Sequence, residues 1–171
     1  MPDQTPPVVL IGPPASGKTK IGKRVAALLG VPHLDTDKVI VQEHGTIPDI
    51  FQRLGEPRFR EIERETVSEA LRTNQVVSLG GGAVTHPDTR ADLQHHNVVA
   101  LVISGDAVSS RLDNRKRPLL PNGVSDWVVL VEKRQPLYDE AATWSVDVSH
   151  RSADEVADEI VSWLTARDRT S

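Results

Sequence analysis

Residues 8–19 constrain this chain more than any other stretch. The apolar run Val8-Val9-Leu10-Ile11 leads directly into Gly12-Pro13-Pro14-Ala15-Ser16-Gly17-Lys18-Thr19. An apolar run, a turn bounded by glycines and a Lys-Thr pair opening a helical pattern predict a buried strand that passes through a tight loop into a helix. The spacing G-x-x-x-x-G-K-[ST] belongs to a loop whose backbone N–H groups, with the positive end of the next helix, nest phosphate oxygens. Lys18 is placed to reach the β- and γ-phosphates of a nucleoside triphosphate, and the Thr19 hydroxyl to ligate Mg²⁺. Gly12, Ala15, Ser16, Gly17 and Lys20 are the expected neighbours of the same nucleotide. An ordinary glycine-rich strand–helix turn is the plain alternative, and the Lys-Thr pair at the helix start weighs against it.

The rest of the chain alternates strands with helices. Ile21, Val25, Leu28 and Leu29 fall at helical spacing over Lys18 to Leu29, and Gly30 ends that helix. A short extended run, Val31 to Leu34, leads to Asp35-Thr36-Asp37, and a helix is expected from Lys38 to His44. Thr46 suits the cap of a short helix through Phe51, and Gly55-Glu56-Pro57 restarts a longer one to Arg72. In that helix Phe59, Ile62, Val67, Ala70 and Leu71 form the apolar stripe, with Arg60 and Glu63 neighbours at i,i+3. Strands are expected at Val76–Leu79, Val98–Ile103 and, at an edge, Trp144–Val148. Helices are expected from Thr85 with Pro87 to Gln94, over Ala107–Asn114 and over Val124–Asp139; Arg115–Gly123 reads as a loop. Ser152 with Glu155 makes a capping box for a last helix whose core face is Val156, Ala157, Ile160, Val161 and Leu164.

This alternation predicts an α/β fold, a parallel sheet with helices on both faces and right-handed crossovers. Ligands of such sheets sit beyond the C-terminal ends of the strands. The three unusual turns, Gly12–Thr19, Asp35–Asp37 and Gly80–Gly82, all lie there, so one crevice should collect them. The 171 residues fit one domain, with 1–7 a frayed tail. No cysteine is present, which removes disulfide and Cys-zinc scaffolds and suits a reducing cytoplasm. A net charge of −4 and 4% aromatic residues argue against a nucleic-acid partner, and no apolar run reaches the length of a membrane span. The six histidines show no metal-ligand spacing and read as surface or helix-end residues.

A phosphate loop specifies a triphosphate and leaves the reaction open. Asp-x-Asp is often a solvated turn, but here it follows a strand expected beside the loop. Asp35 can hold Mg²⁺ directly or through its waters, a role that neither Val76–Leu79 nor Val98–Ile103 fills, since neither ends in an aspartate. Asp37 is then free to orient, or take a proton from, an acceptor hydroxyl. Gly80, Gly81 and Gly82 let backbone approach a ligand closely and offer N–H donors to a carboxylate. Arg60 and Arg134, if both reach the crevice, make a bidentate clamp for that carboxylate. Arg115-Lys116-Arg117-Pro118-Leu119-Leu120 reads as a lid, with Arg117 closing over the phosphates and Pro118 and Leu119 excluding water.

These residues resemble shikimate kinases. The likeness runs from Val8 to Leu164 and rests on the phosphate loop, Leu34-Asp35-Thr36-Asp37, Phe59-Arg60-Glu61-Ile62-Glu63, Ser78-Leu79-Gly80-Gly81-Gly82, Arg117-Pro118-Leu119-Leu120 and Arg134-Gln135-Pro136-Leu137-Tyr138, in that order. The resemblance implies the P-loop kinase fold, three layers around a five-stranded parallel sheet in order 2-3-1-4-5. A substrate-binding region over 37–64 and a lid over 112–124 go with it. It implies ATP-dependent phosphorylation of shikimate on the 3-hydroxyl by a cytoplasmic monomer using Mg²⁺. By the same resemblance, Asp37, Arg60, Gly81 and Arg134 hold shikimate with Gly80 and Gly82 alongside. Glu63 supports Arg60, and Ile47, Phe51, Phe59, Pro118 and Leu119 form the apolar wall. Lys18, Asp37 and Arg117 carry the chemistry, Arg111 and Arg151 flank the adenine, and Thr19 ligates Mg²⁺ with Asp35 behind it.

One residue departs from that family's pattern: Ala15 stands where glycine is usual. A methyl there, if the position needs positive φ, costs about 1 kcal/mol or more, which the remaining loop is expected to tolerate. Two other readings compete. One is a related small-metabolite kinase, for instance one acting on gluconate; the other is a nucleotide-binding regulator without turnover, which would have no use for Asp37, Arg60, Arg117 and Arg134 together.

Overall fold

The structure, a computed structural model, describes residues 4–112 and 119–170. Strands β1 (Val9–Ile11), β2 (His33–Asp35), β3 (Val76–Ser78), β4 (Val98–Val102) and β5 (Trp144–Asp147) form one sheet in the order β2-β3-β1-β4-β5. Every pairing is parallel. Helices α1 (Lys18–Leu29), α2 (Thr36–His44), α3 (Ile47–Ala70), α4 (Pro87–Leu93), α5 (Gly105–Ser109), α6 (Val124–Ala141) and α7 (Ala153–Thr170) connect or cover the strands. The fold is that expected for a P-loop kinase, with β5 at the edge.

Alternation along the strands builds two cores. Val8, Leu10, Val99 and Leu101 face α1 and α7, meeting Ile21, Val25, Val156 and Ile160. Val9, Ile11, Val77 and Ala100 face the other way, meeting Val67, Leu71, Leu93 and Tyr138. A smaller cluster, Ile40, Ile50, Phe59 and Ile62, ties α2 to α3, with the Phe51 and Phe59 rings 5.0 Å apart. Among the described residues no helix is long and apolar enough to cross a membrane.

Register brings the three turns level. Ser78 pairs with Leu10 on one side and Asp35 on the other. The chain therefore leaves β1, β2 and β3 at one height, at Gly12, Thr36 and Leu79. Two side-chain bonds reinforce that corner: His33 Nε2 lies 2.8 Å from Ser78 Oγ, which donates to the Lys18 carbonyl at 2.8 Å.

Several boundaries differ from expectation. α2 starts at Thr36 rather than Lys38, because the Asp35 carboxylate caps it by accepting from the Asp37 and Lys38 N–H groups. α3, in contrast, is as expected: two helices joined at Gly55, whose φ of 82° breaks the helical path just before Pro57. The cap of α4 is His86, its ring accepting from Asp88 N–H, and not Thr85, whose hydroxyl turns back to the Gly82 carbonyl at 2.6 Å. α5 is shorter and earlier than Ala107–Asn114, since the Ser104 hydroxyl caps it by accepting from Ala107 N–H. The tail is docked from Pro6, which is buried, and the Pro7 carbonyl accepts from Asn97 at 3.3 Å. The lid expected over 112–124 lies in part, at 113–118, outside the described residues, and Arg117 and Pro118 with it.

Candidate active site

The loop after β1 turns through three residues of positive φ: Gly12 at 149°, Ala15 at 66° and Gly17 at 92°. Gly12 also needs the room, because a Cβ there would stand 2.8 Å from the Leu101 carbonyl oxygen. The buried Ser16 hydroxyl donates to the Pro13 carbonyl at 2.8 Å, and Lys18 Nζ donates to the Gly12 and Pro13 carbonyls, both at 2.8 Å. Ala15 occupies the left-handed region in which a Cβ is strained by about 1–2 kcal/mol. Glycine's absence there is thus a real departure, and the loop keeps its turn regardless.

Behind the loop, the Thr19 hydroxyl donates to one Asp35 oxygen. The other Asp35 oxygen accepts from the N–H groups of Asp37 at 2.9 Å and Lys38 at 3.3 Å. Asp35 therefore does two jobs, holding Thr19 and starting α2. Starting α2 there places Asp37 on its first turn.

Asp37 looks across Gly80 to Glu63 on α3. A Cβ on Gly80 would stand 2.5 Å from Asp37 Oδ1 and 2.9 Å from Glu63 Oε2. A Cβ on Gly82 would stand 2.5 Å from both terminal nitrogens of Arg60, and one on Gly81 would press the Pro14 ring at 3.1 Å. None of the three glycines has positive φ. They are glycine because side chains converge on them, and no turn demands it. The expected row of N–H donors fails at Gly80, whose N–H is turned inward onto the Thr36 hydroxyl at 3.2 Å. Gly81 and Gly82, but not Gly80, line the cavity described below.

Arg60 and Arg134 line the same cavity. Arg60 is held by Glu63 at 2.7 Å and, more loosely, by Glu56 at 3.6 Å. Arg134 is buried on α6 one turn before Tyr138, whose hydroxyl donates to the Gly81 carbonyl at 2.5 Å. Burial, then the negative charges of Glu63 and Asp35, push the Asp37 carboxyl up to about 6. Burial raises Glu63 as well, against the opposing pull of Arg60. The Tyr138 hydroxyl is pushed up to about 12 by burial, so it stays a neutral donor.

Two cavities flank the phosphate loop. The first, about 430 Å³, has Pro14, Asp37, Arg60, Glu63, Gly81, Gly82 and Arg134 on its polar side and Ile47, Phe51, Phe59, Leu119 and Leu120 on its apolar side. The second, about 470 Å³, lies along Ala15, Gly17 and Lys20 and is bordered by Arg111 and Arg151. Arg111 reaches the Ala15 carbonyl at 3.4 Å, while Arg151 is anchored by Glu159 at 2.5 Å and the Asp147 carbonyl at 3.0 Å. The loop lies between the two spaces, one bordered by Arg111 and Arg151 and the other by Arg60 and Arg134.

The family model for shikimate kinase matches residues 14–165. The chain belongs to the shikimate kinase family. A shikimate kinase of Mycobacterium avium is 47% identical over 168 residues, covering 95% of this chain and 96% of that protein. One of Corynebacterium efficiens is 41% identical over 93% of this chain and 96% of that protein. The solved shikimate kinase of Acinetobacter baumannii in complex with shikimate superposes with a TM-score of 0.90 at 32% identity, over 96% of this chain and 94% of that one. Shikimate kinases are ATP-dependent kinases acting on shikimate.

Trp127 and the anchoring role of Tyr138 are not apparent from residue types alone. Trp127 donates its indole N–H to the Pro14 carbonyl at 2.9 Å. It precedes Arg134 by seven residues and Tyr138 follows by four, so all three share the buried face of α6. That spacing around Arg134 is the signal in the sequence that would have found them.

Proposed function

We propose that this chain transfers the terminal phosphoryl group of ATP to the 3-hydroxyl of shikimate. The reading is carried by Asp37, Arg60 and Arg134 lining one cavity that Pro14 of the phosphate loop also lines. Arg60 and Arg134 take the shikimate carboxylate, and Phe59, Ile47 and Leu119 cover the carbon ring. Asp37 receives the hydroxyl proton while the new oxygen–phosphorus bond forms and the bond from the γ-phosphorus to the bridging oxygen of ADP breaks. A carboxyl raised to about 6 is still mostly ionised at neutral pH and is a better proton acceptor than an ordinary aspartate. Lys18 turns from the loop carbonyls to the β- and γ-phosphates, and Arg111 and Arg151 border the space for the base.

The Thr19–Asp35 pair fits a magnesium ion. A hydroxyl that gives its hydrogen to a carboxylate presents a lone pair elsewhere, and both groups are hard oxygen donors. When bound, the ion would neutralise charge on the phosphate oxygens. The same reading has the chain working as a monomer, and a cysteine-free chain suits the cytoplasm.

A coupled ADP-release assay with shikimate, quinate, gluconate and nucleoside monophosphates tests the reading. ADP release that depends on shikimate is expected; release only with gluconate or a nucleotide acceptor would overturn it.

A further inference from the structure

The phosphate loop contains two prolines and a strained alanine where its backbone must aim N–H groups at an anion. Pro13 and Pro14 have no N–H to offer, so donation starts at Ala15. The Ala15 N–H belongs to the same planar unit as the Pro14 carbonyl, and in a trans peptide the two point in opposite directions. Whatever holds the Pro14 carbonyl therefore aims the Ala15 N–H. That holder is the Trp127 indole, at 2.9 Å.

Trp127 is well placed for the task. It is 3% exposed and packed in the larger core with Leu120, Ala107 and Val146, and the Ala15 side chain packs against the same cluster. The bonds from Ser16 to Pro13 and from Lys18 to Gly12 and Pro13 are internal to the loop and move with it. Arg111 reaches the Ala15 carbonyl only at 3.4 Å, from an exposed position. When Lys18 leaves its carbonyls for phosphate, the indole bond ties the strained turn to the body of the protein.

We propose that Trp127 is a positioning residue for ATP: by gripping the Pro14 carbonyl it keeps the Pro14–Ala15 peptide turned toward the phosphates although Ala15 has a side chain at a left-handed position. This rests on the loop's binding ATP and adds a residue from the helix that also carries Arg134. The grip matters because the departure at Ala15 would otherwise let the peptide rotate.

Steady-state kinetics of Trp127→Phe, Ala15→Gly and the double variant test it. Trp127→Phe keeps the ring and loses the donor, so ATP KM should rise about three- to tenfold, one neutral hydrogen bond, with shikimate KM within about twofold. Adding Ala15→Gly should recover most of the loss, because glycine holds that φ without strain. Unchanged ATP KM, an equal rise in both KM values, or no recovery in the double variant would overturn it. If Trp127→Phe fails to fold, Trp144→Phe/Trp163→Phe leaves Trp127 as the one tryptophan, whose emission should shift saturably with ADP; emission indifferent to ADP would refute the grip. Wild-type protein run alongside separates the two failures: no shikimate-dependent ADP release from it would sink the kinase reading itself.

Discussion

Tyr138 donates its hydroxyl to the Gly81 carbonyl at 2.5 Å, one helical turn beyond Arg134 on the same buried face of α6. The phenol thereby fixes a wall of the cavity that Gly81 and Arg134 line. Tyr138→Phe keeps the buried ring and removes that bond. Shikimate KM should rise about fivefold, within the range of one hydrogen bond, while ATP KM stays near wild type. Steady-state kinetics with each substrate varied in turn would show it; a rise confined to ATP would place Tyr138's influence at the phosphate loop instead.

Gly82 marks where Arg60 crosses the backbone. A methyl there would stand 2.5 Å from both terminal guanidinium nitrogens. The side chain is flexible and can move aside, so Gly82→Ala should fold with a Tm close to wild type. Moved aside, Arg60 no longer faces the cavity, and shikimate KM should rise more than about tenfold, the loss of a charge-assisted bond. A crystal structure of the variant with Arg60 in place and normal kinetics would count against the clamp.

The strand–loop–helix opening, the parallel sheet and the meeting of the three strand-end turns were legible because each rests on local pattern: apolar runs, glycines and cap residues at fixed spacing. The α3 stripe from Phe59 to Leu71 is buried as the periodicity requires. What residue type did not disclose was contact across the fold. The triple glycine is small because Asp37, Glu63 and Arg60 arrive there from α2 and α3, and nothing in 80–82 alone distinguishes that crowding from a flexible turn. The α4 start was misplaced for a similar reason, since Thr85 and His86 are both plausible caps until the turn at Gly82 claims the threonine.

Ala15 at φ 66° makes a separate stability prediction. Ala15→Gly relieves about 1–2 kcal/mol of backbone strain but frees the unfolded chain, which gives back about 0.4–1 kcal/mol. A net gain of about 0.5–1 kcal/mol in urea unfolding is expected, with only a modest change in ATP KM. A loss of stability would mean that the alanine methyl contributes more by packing against the core than it costs in strain.

The Asp37 carboxyl sets the acid limb of activity. It is raised to about 6 by burial and by its acidic neighbours, so below that pH it is protonated and cannot accept the hydroxyl proton. The logarithm of kcat/KM for shikimate should fall with unit slope as pH drops through about 6. Glu63→Gln removes one of those neighbours, so the limb should move to lower pH, even as shikimate KM rises from the loss of Arg60's partner. Stability runs the opposite way. A carboxyl whose folded value exceeds its unfolded value of 3.8 adds stability that is complete below the unfolded value and lost as pH rises through about 6. Asp37→Asn should therefore cut kcat by about 10²-fold or more and yet melt above wild type at pH 8, with the gap closing toward pH 5. A variant that loses turnover and also melts lower at pH 8 would show that the buried charge is held by compensating contacts, and that the proton acceptor's pKa is nearer that of an ordinary aspartate.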